Sequence, residues 1–258
     1  MVHYLIDYYG ENVTVVPPNF FPEHEPMNVW TSSHRQPPIC SFCLVCAAFL
    51  AVSLPATGTA EDGFISLFDG KTTDGWRGYR KPTPPAGWVV EDGALARKGG
   101  GGDLLSKDKF GDFELRFEWK VAPGANSGVM YRVTETEPAS YMTGPEYQVL
   151  DNGKHHDGRS PLTSTAALYG LYPAEQAETK PVGQYNDARI VVNGNHVEHW
   201  LNGKKVVETE INGDDWNKRI AASKFKDWKK FGQNPEGHIV LQDHGDPVWY
   251  RNIRIKKL

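Results

Sequence analysis

The chain has 258 residues, which is enough for one all-β sandwich domain or for two small domains. Its 8 Trp, 11 Tyr and 26 Gly, combined with few long apolar runs, favour strands and turns over helices. A formal charge of −4 without a basic cluster argues against a surface that binds nucleic acid or an anionic membrane.

The first 60 residues differ in character from the rest of the chain. Residues 1–26 fit neither a leader nor a folded domain, and we interpret them as a spurious or disordered extension. Residues 27–60 predict a signal peptide cut near Ala60, because a weakly basic start precedes an apolar run over 39–54 and then small residues. The run is shorter than the ~20 residues that span a bilayer. We therefore expect a secreted or periplasmic protein without a membrane span.

All three cysteines, Cys40, Cys43 and Cys46, lie inside that apolar run. Their spacing permits a Cys-x-x-Cys redox or metal motif, but the sequence contains no second cysteine pair to complete it. A lipoprotein anchor at Cys46 is another alternative, although the usual small residue does not precede it. The signal peptide is favoured. It leaves residues 61–258 as a single cysteine-free domain, large enough to be stabilised by its hydrophobic core.

From Gly63 onward, short strands alternate with turn signals. Glu91-Asp92-Gly93 predicts a hairpin, and residues 113–121 alternate strictly between apolar and charged side chains, as expected for a strand with one core face. In the next strand, we expect Val129, Tyr131 and Val133 to share one face. Arg132 and Met130 would then lie on the opposite face.

Residues 144–153 form the most informative stretch. Gly-Pro opens it, an Asn-Gly turn closes it, and a strand is predicted between them. Because side chains alternate along a strand, Glu146 and Gln148 should share the face opposite to the apolar Tyr147 and Val149. Asp151 has the wrong parity for that face and would join it only if the turn redirects its side chain.

A polar loop and two further hairpins follow. His155-His156-Asp157 suggests metal ligands, but neighbouring side chains point apart and no third ligand is fixed by spacing, so a solvated loop is favoured and no metal ligand is assigned. Asn-Gly pairs at 193–194 and 202–203 predict tight hairpins. His199 has the parity of the apolar residues beside it, which indicates a core histidine.

One helical stretch and a closing pair of strands complete the chain. Asp214 can cap the first turn of a helical region that extends to Phe231. In the strand that follows, Gln242 and His244 share a face and are expected to meet Glu146 and Gln148 across one groove. The pattern as a whole predicts an all-β sandwich, or jelly roll, of two antiparallel sheets with one or two short helices.

Several motifs, in this order along the chain, resemble those of the 3-keto-disaccharide hydrolase family of exported bacterial proteins. They span about 64–258 and read Leu67-Phe68-Asp69-Gly70-Lys71, Asp112-Phe113-Glu114-Leu115, Asn126-Ser127-Gly128-Val129, Glu146-Tyr147-Gln148-Val149-Leu150-Asp151, Glu198-His199-Trp200-Leu201-Asn202-Gly203 and Gly237-His238-Ile239-Val240-Leu241-Gln242-Asp243-His244-Gly245. The resemblance implies a concanavalin A-like fold and an activity on glycosides whose sugar carries a ketone at C3.

Such a ketone acidifies the proton on C2, so a base, an electrophile for the enolate oxygen and an acid for the leaving oxygen are required. We assign Glu146 and His244 as the base and the acid. A conventional glycosidase with Glu146 and Asp151 as its carboxylate pair is a variant. The electrophile is Arg132 or a divalent cation, and no cofactor is assigned. The remaining residues expected to bind the sugar are Gln148, Gln242, Glu118, Trp119 and Tyr131. A non-catalytic carbohydrate-binding module is the alternative function.

Overall fold

A computed structural model describes residues 63–258. The predicted extension (1–26) and signal peptide (27–60) lie outside the described residues. The strands have the following bounds: β1 Ile65–Ser66, β2 Trp76–Gly78, β3 Trp88–Glu91, β4 Ala94–Arg97, β5 Leu104–Phe110, β6 Phe113–Val121, β7 Asn126–Val133, β8 Glu146–Leu150, β9 Asn186–Asn193, β10 His196–Leu201, β11 Lys204–Glu210, β12 Gly237–Leu241 and β13 Val248–Lys257. One α-helix, α1 (Asp214–Ala221), and three single 3₁₀ turns (Ser140–Met142, His156–Arg159 and Lys224–Asp227) accompany these strands in the described region.

The strands form two antiparallel sheets. The larger sheet has the order β11-β10-β9-β6-β13-β4-β3, with β1 paired to β13 beside β4. The smaller sheet has the order β2-β5-β12-β7-β8. The predicted hairpins are present, since β3 pairs with β4 across Asp92-Gly93 and β10 pairs with both β9 and β11. The prediction of an all-β sandwich of two antiparallel sheets is confirmed.

The core lies between the two sheets and is rich in aromatic side chains. Phe117 of the larger sheet packs edge-on against Tyr147 of the smaller sheet, with ring centroids 5.7 Å apart. Alternation along β6 buries every odd-numbered residue from Phe113 to Val121, as the sequence predicts. Burial of a large apolar side chain contributes about 1.5–3 kcal/mol, so this layer provides much of the free energy of folding.

One irregularity in β7 inverts the expected alternation. Arg132 has a φ of 52°, in the left-handed region that few side chains adopt without local support. Val129 and Tyr131 pack in the core, as predicted, whereas Val133 joins a second apolar cluster with Met130 on the other side of the sheet. The prediction that Val133 shares a face with Tyr131 is therefore wrong, because one residue with positive φ shifts the parity of the residues after it.

The helical region is shorter and more broken than the sequence suggests. Helix α1 ends at Ala221, and its N-cap is Gly213 rather than Asp214, which lies in the first turn. Trp216 of α1, with Phe225 and Phe231 beyond it, packs into the core. Across the described residues, no helix is long and apolar enough to cross a membrane.

Candidate active site

The candidate site lies on the outer face of the smaller sheet, the face that points away from the larger sheet. Strand pairing places Glu146 opposite Met130 and Gln148 opposite Gly128. On the other edge of β7, the backbone N–H of Gln242 donates to the carbonyl of Gly128 at 2.9 Å. Paired residues of antiparallel strands share a face. The strand of Glu146 and Gln148 and the strand leading to Gln242 thus present these side chains on one surface, as the sequence predicts.

Gly128 provides the space for the carboxyl group of Glu146. A Cβ atom at position 128 would lie 2.6 Å from the Glu146 carboxyl carbon and would overlap its Oε1. The Glu146 side chain therefore lies directly across the backbone of β7. Only glycine permits such a close approach of a side chain to a strand.

Glu146 is buried, and this burial raises the pKa of its carboxyl group to about 8. Desolvation is the main cause, because a carboxylate loses the favourable hydration of its charge when it is removed from water. The positive charge of Lys224 opposes the rise, whereas the negative charges of Asp103 and Asp157 add to it. A carboxyl group tuned close to neutrality by burial is typical of a general acid or base.

Lys224 is a site residue that the sequence analysis missed. It begins the 3₁₀ turn Lys224–Asp227, and its ammonium group lies 4.3 Å from the centroid of the Tyr169 ring. The residue as a whole is exposed, but burial around the ammonium lowers its pKa, which the charges of Glu146 and Asp157 partly restore. The site therefore combines a buried carboxyl group with a nearby cation.

Asp103 is the second site residue that the sequence analysis missed. Its Oδ1 accepts the backbone N–H of Asp243 at 2.8 Å, and its Oδ2 accepts the hydroxyl of Ser140. Burial raises the pKa of this carboxyl group, although both hydrogen bonds oppose the rise. Its charge acts on Glu146, so two carboxyl groups with raised pKa values share one electrostatic environment.

Two aromatic residues pack together next to residues that contact this site. The rings of Tyr141 and Trp228 are 5.4 Å apart, and Tyr141 is 46% exposed. Tyr141 follows Ser140, the partner of Asp103, and Trp228 ends the turn that begins at Lys224. An exposed aromatic face beside polar groups is suited to stacking against a sugar ring.

The two predicted glutamines each retain an unused acceptor. The amide nitrogen of Gln148 donates to the carbonyl of Thr163 at 3.0 Å. Within the described residues, the side-chain oxygens of both Gln148 and Gln242 are buried without a hydrogen-bond partner. Because an unpaired buried oxygen is costly, these atoms are candidate acceptors for the hydroxyl groups of a ligand.

His244 and Asp151 were also predicted to be catalytic, and their environments differ. The charge of a protonated His244 lowers the pKa of Asp103, so His244 lies near the site. His244 is exposed, and its ring lies edge-on to that of His155, 5.8 Å away. Asp151 is buried, and its two oxygens accept the backbone N–H groups of Gly124 and Gly153 at 2.7 and 2.9 Å. Asp151 therefore stabilises the adjacent loops, and both of its carboxylate oxygens already accept hydrogen bonds.

The other four predicted residues do not join Glu146. The guanidinium of Arg132 donates to the Gly111 carbonyl and to Asp112. Trp119 and Tyr131 lie in the core, where the Tyr131 hydroxyl is 3.1 Å from the Nε2 of His199. Glu118 belongs to the larger sheet and binds Arg251 and Asn252. It lines a surface cavity of about 340 Å³ together with Asp187, and both carboxylates pair with cations, Glu118 with Arg251 and Asp187 with Lys180.

A scan against family models matches residues 63–256 to the 3-keto-alpha-glucoside-1,2-lyase-like domain. The chain belongs to this family. It is 42% identical to the 3-keto-disaccharide hydrolase of Bacteroides thetaiotaomicron over 230 residues, which cover 76% of this chain and 79% of the relative.

Two solved structures from Parabacteroides distasonis, each provisionally described as a glycosyl hydrolase, are also similar. The first is 31% identical with a TM-score of 0.71, and the match covers 76% of this chain and 94% of the other chain. The second is 29% identical with a TM-score of 0.57, and the match covers 71% of this chain and 99% of the other chain.

Proposed function

We propose that this protein is an enzyme that cleaves glycosidic bonds of 3-keto glycosides and 3-keto disaccharides. The observation that carries the proposal is the buried Glu146 carboxyl group, with a pKa of about 8, held over Gly128 beside Lys224. The relative named 3-keto-disaccharide hydrolase supports the substrate class. Residues that merely bind sugar have no need of a carboxyl group tuned close to neutrality.

The proposed reaction begins with removal of the C2 proton by the ionised Glu146. The electron pair of the C–H bond forms the C2–C3 double bond of an enolate, and the C3 oxygen takes the negative charge. The C3 ketone then re-forms as the C2–C3 pair moves to make the C1–C2 double bond, while the C1–O bond breaks and the leaving oxygen takes up a proton. Water then adds across the double bond, with hydroxide at C1 and a proton at C2. The first stage is a lyase reaction and the sum is a hydrolysis. This two-stage reaction is consistent with both descriptions, since the family is described as lyase-like and the relative is named a hydrolase.

The neighbouring residues supply the remaining chemical needs. Lys224 provides positive charge for the enolate oxygen at C3, because stabilisation of developing charge in a partly buried site contributes strongly to rate. Asp103, with its raised pKa, is the proposed acid for the leaving oxygen. The unpaired oxygens of Gln148 and Gln242 accept sugar hydroxyls, and the Tyr141–Trp228 pair stacks on the ring.

Replacement of Glu146 tests the proposal. E146Q should lower kcat on a 3-keto disaccharide by about 10²–10⁴-fold, the usual contribution of a general acid–base group, while the substrate still binds. The matched control is D187N, which alters an exposed carboxylate of the larger sheet paired with Lys180 and should retain turnover within a few-fold. Unchanged turnover of E146Q, measured alongside substrate binding by calorimetry, would exclude Glu146 as the base.

A two-carboxylate glycosidase is the second candidate. Glu146 and Asp103 both have raised pKa values, and the charge of Asp103 contributes to the rise at Glu146, as expected for a glycosidase pair. Comparing the 3-keto disaccharide with its unoxidised parent distinguishes the two mechanisms. The elimination route predicts cleavage of the 3-keto sugar alone. Equal cleavage of both would favour the glycosidase, and binding of both without turnover would favour a carbohydrate-binding module.

We also propose that the protein is exported. The proposal rests on the pattern of residues 27–60 alone, with its apolar run and small residues near Ala60. Expression in a bacterial host followed by fractionation and N-terminal sequencing tests it. The expected product starts near Glu61 outside the cytoplasm, and an uncut cytoplasmic chain would contradict it.

A further inference from the structure

We propose that His155, His244 and Asp246 bind a divalent first-row transition metal ion such as Zn²⁺ or Mn²⁺. One ligand atom from each of these side chains lies within 4.8 Å of the other two. The three residues come from two separate loops, one after β8 and one after β12, which the fold brings together. Two imidazoles and one carboxylate form a mixed nitrogen and oxygen set that suits these ions better than Ca²⁺ or Mg²⁺.

The separation of the ligand atoms requires only a small adjustment. Ligands about 2.0–2.2 Å from a tetrahedral ion lie roughly 3.4 Å from each other. Atoms within 4.8 Å of one another reach that arrangement by side-chain rotation over about 1 Å. His155 is partly exposed and His244 is exposed, so neither ring is locked in a packed core.

Asn126 supplies an independent indication of a ligand. Its backbone N–H donates to Oδ2 of Asp246 at 3.0 Å, and its side-chain nitrogen donates to Oδ2 of Asp157 at 3.4 Å. Asn126 is only 2% exposed, yet its side-chain oxygen has no hydrogen-bond partner within the described residues. Asn126 thus contacts both loops, and its unpaired amide oxygen is a group that a cation, or a water bound to a cation, would satisfy.

The Asp157 carboxylate lies close to the His155 ring. The Nδ1 atom of His155 accepts the backbone N–H of Asp157 at 3.2 Å, and the Asp157 Oδ2 lies 4.0 Å from the same nitrogen. Because Nδ1 accepts this N–H, the ring proton is on Nε2 in the metal-free protein. Binding of a metal by Nε2 displaces that proton to Nδ1, and the bond from the Asp157 N–H is then exchanged for one to the Asp157 carboxylate. A carboxylate that supports a metal-bound histidine in this way is common in metalloproteins.

Two other clusters fit a metal less well. His156 is exposed on the 3₁₀ turn beside His155, and its Nε2 lies 3.4 Å from Oδ1 of Asp157. His196 lies at the exposed hairpin of β10 and β11, where Glu198, Glu208 and Glu210 surround it. These acidic groups already pair with His196 and with Lys205, whose ammonium group lies where a metal ion would compete.

The proposed metal site lies on the same strand face as Glu146. Asn126 and Gly128 are two residues apart on β7, which corresponds to about 7 Å along a strand. The Glu146 carboxyl group lies over Gly128, and Asn126 contacts the loop of His155 and Asp246. If Glu146 is the base, as the proposed function states, the metal ion would lie about one sugar ring away from its carboxyl group. This statement alone rests on the proposed function. Metal binding itself does not depend on that function.

Calorimetric titration of the metal-free, tag-free protein with Zn²⁺, Mn²⁺ and Ca²⁺ tests the site. One equivalent of the transition metal should bind, with Ca²⁺ much weaker. H155A and H244A should each weaken binding at least tenfold, in line with the loss of one of three ligands. The visible absorption spectrum of a Co²⁺ complex, read on the same variants, should lose its ligand-field bands.

H196A and H156A are the controls, because they remove the histidines of the two competing clusters. Both should bind the metal as the parent does. All four metal-free variants should unfold cooperatively, with H155A slightly less stable because it loses the capping bond to Asp157. Loss of metal binding in H156A but not in H244A would overturn the assignment. Loss of metal binding in H196A would also overturn it, as would binding of one equivalent of metal by all four variants. Because each readout is binding, a failure of the proposed catalysis leaves this result intact, and the reverse also holds.

Discussion

Among single residues, Glu146 has the surroundings most suited to acid–base chemistry. Its pKa of about 8 means that the protonated form predominates at neutral pH. If the ionised form is the base, kcat/KM for a 3-keto disaccharide should rise about tenfold per pH unit below pH 8 and level off above it. Steady-state kinetics from pH 5 to 9 measure this profile. A profile that is flat over this range would exclude Glu146 as the base in the free enzyme.

The same group makes stability depend on pH. A pKa raised from 4.5 to about 8 means that the fold favours the protonated form, so its contribution is complete below pH 4.5 and is lost as the pH rises through 8. The loss is at most about 5 kcal/mol from the size of the shift. Urea unfolding should show E146Q gaining stability relative to the parent between pH 5 and 9. A constant difference between the two proteins would contradict the raised pKa.

At the level of the strand, the sequence predicted which face of β8 carries the polar groups. The alternation of Glu146 and Gln148 with Tyr147 and Val149 follows from the two-residue period of a strand and needs no tertiary information. The pairing of β8 with β7, and of β7 with β12, is a long-range choice. In the sequence, only the polar residues on one face of the strand leading to Gln242 suggested that this strand lies near β8.

Other parts of the site carried no signal of this kind. Lys224 lies in a broken helical region where one lysine among several resembles a solvated surface residue. Asp103 follows a glycine-rich stretch and is recognised only by its contacts with Ser140 and Asp243. Arg132 was predicted from strand parity to face ligand, but its positive φ and its pairing with Asp112 place it elsewhere. Loop contacts and irregular backbone are set by the assembled fold, and local periodicity does not encode them.

The close approach of β7 to Glu146 gives a test at the level of the strand. In G128A, the new methyl group would displace the Glu146 carboxyl group, whose carbon lies 2.6 Å from the added Cβ position. We expect kcat to fall by at least 10²-fold, because misplacement of a catalytic group by about 1 Å has effects of that size. G100A is the matched control, since a Cβ there meets nothing within 4 Å. Kinetics on both variants, with circular dichroism to check folding, provide the measurement.

The outcome for G128A separates two explanations of this glycine. If Gly128 only relieves crowding, the variant should lose stability and activity together, and a rise in temperature should affect it more than G100A. If Gly128 positions the carboxyl group, activity at low temperature falls while the unfolding transition remains cooperative. Full activity in G128A would contradict the placement of Glu146 across β7.

For the molecule as a whole, His199 joins the two sheets. It belongs to β10 of the larger sheet. Its Nδ1 donates to the Ala166 carbonyl at 3.0 Å, so its Nε2 accepts the hydroxyl of Tyr131 from β7 of the smaller sheet. The ring is fully buried, and burial lowers its pKa to about 4. The neutral imidazole is therefore the form that the sandwich requires.

Acid should weaken the sandwich through this histidine. Its pKa is depressed from 6.5 to about 4, so its contribution is present above pH 6.5 and is lost as the pH falls through 4. The loss approaches about 3 kcal/mol at full protonation.

H199Q, whose amide offers one donor and one acceptor without titrating, should be less stable than the parent at pH 7.5 but lose less stability between pH 6.5 and 4.5. Guanidinium unfolding at several pH values measures both proteins. H156Q, altered at an exposed histidine, should retain the acid sensitivity of the parent, and an H199Q profile parallel to the parent would show that His199 is not the acid-sensitive link.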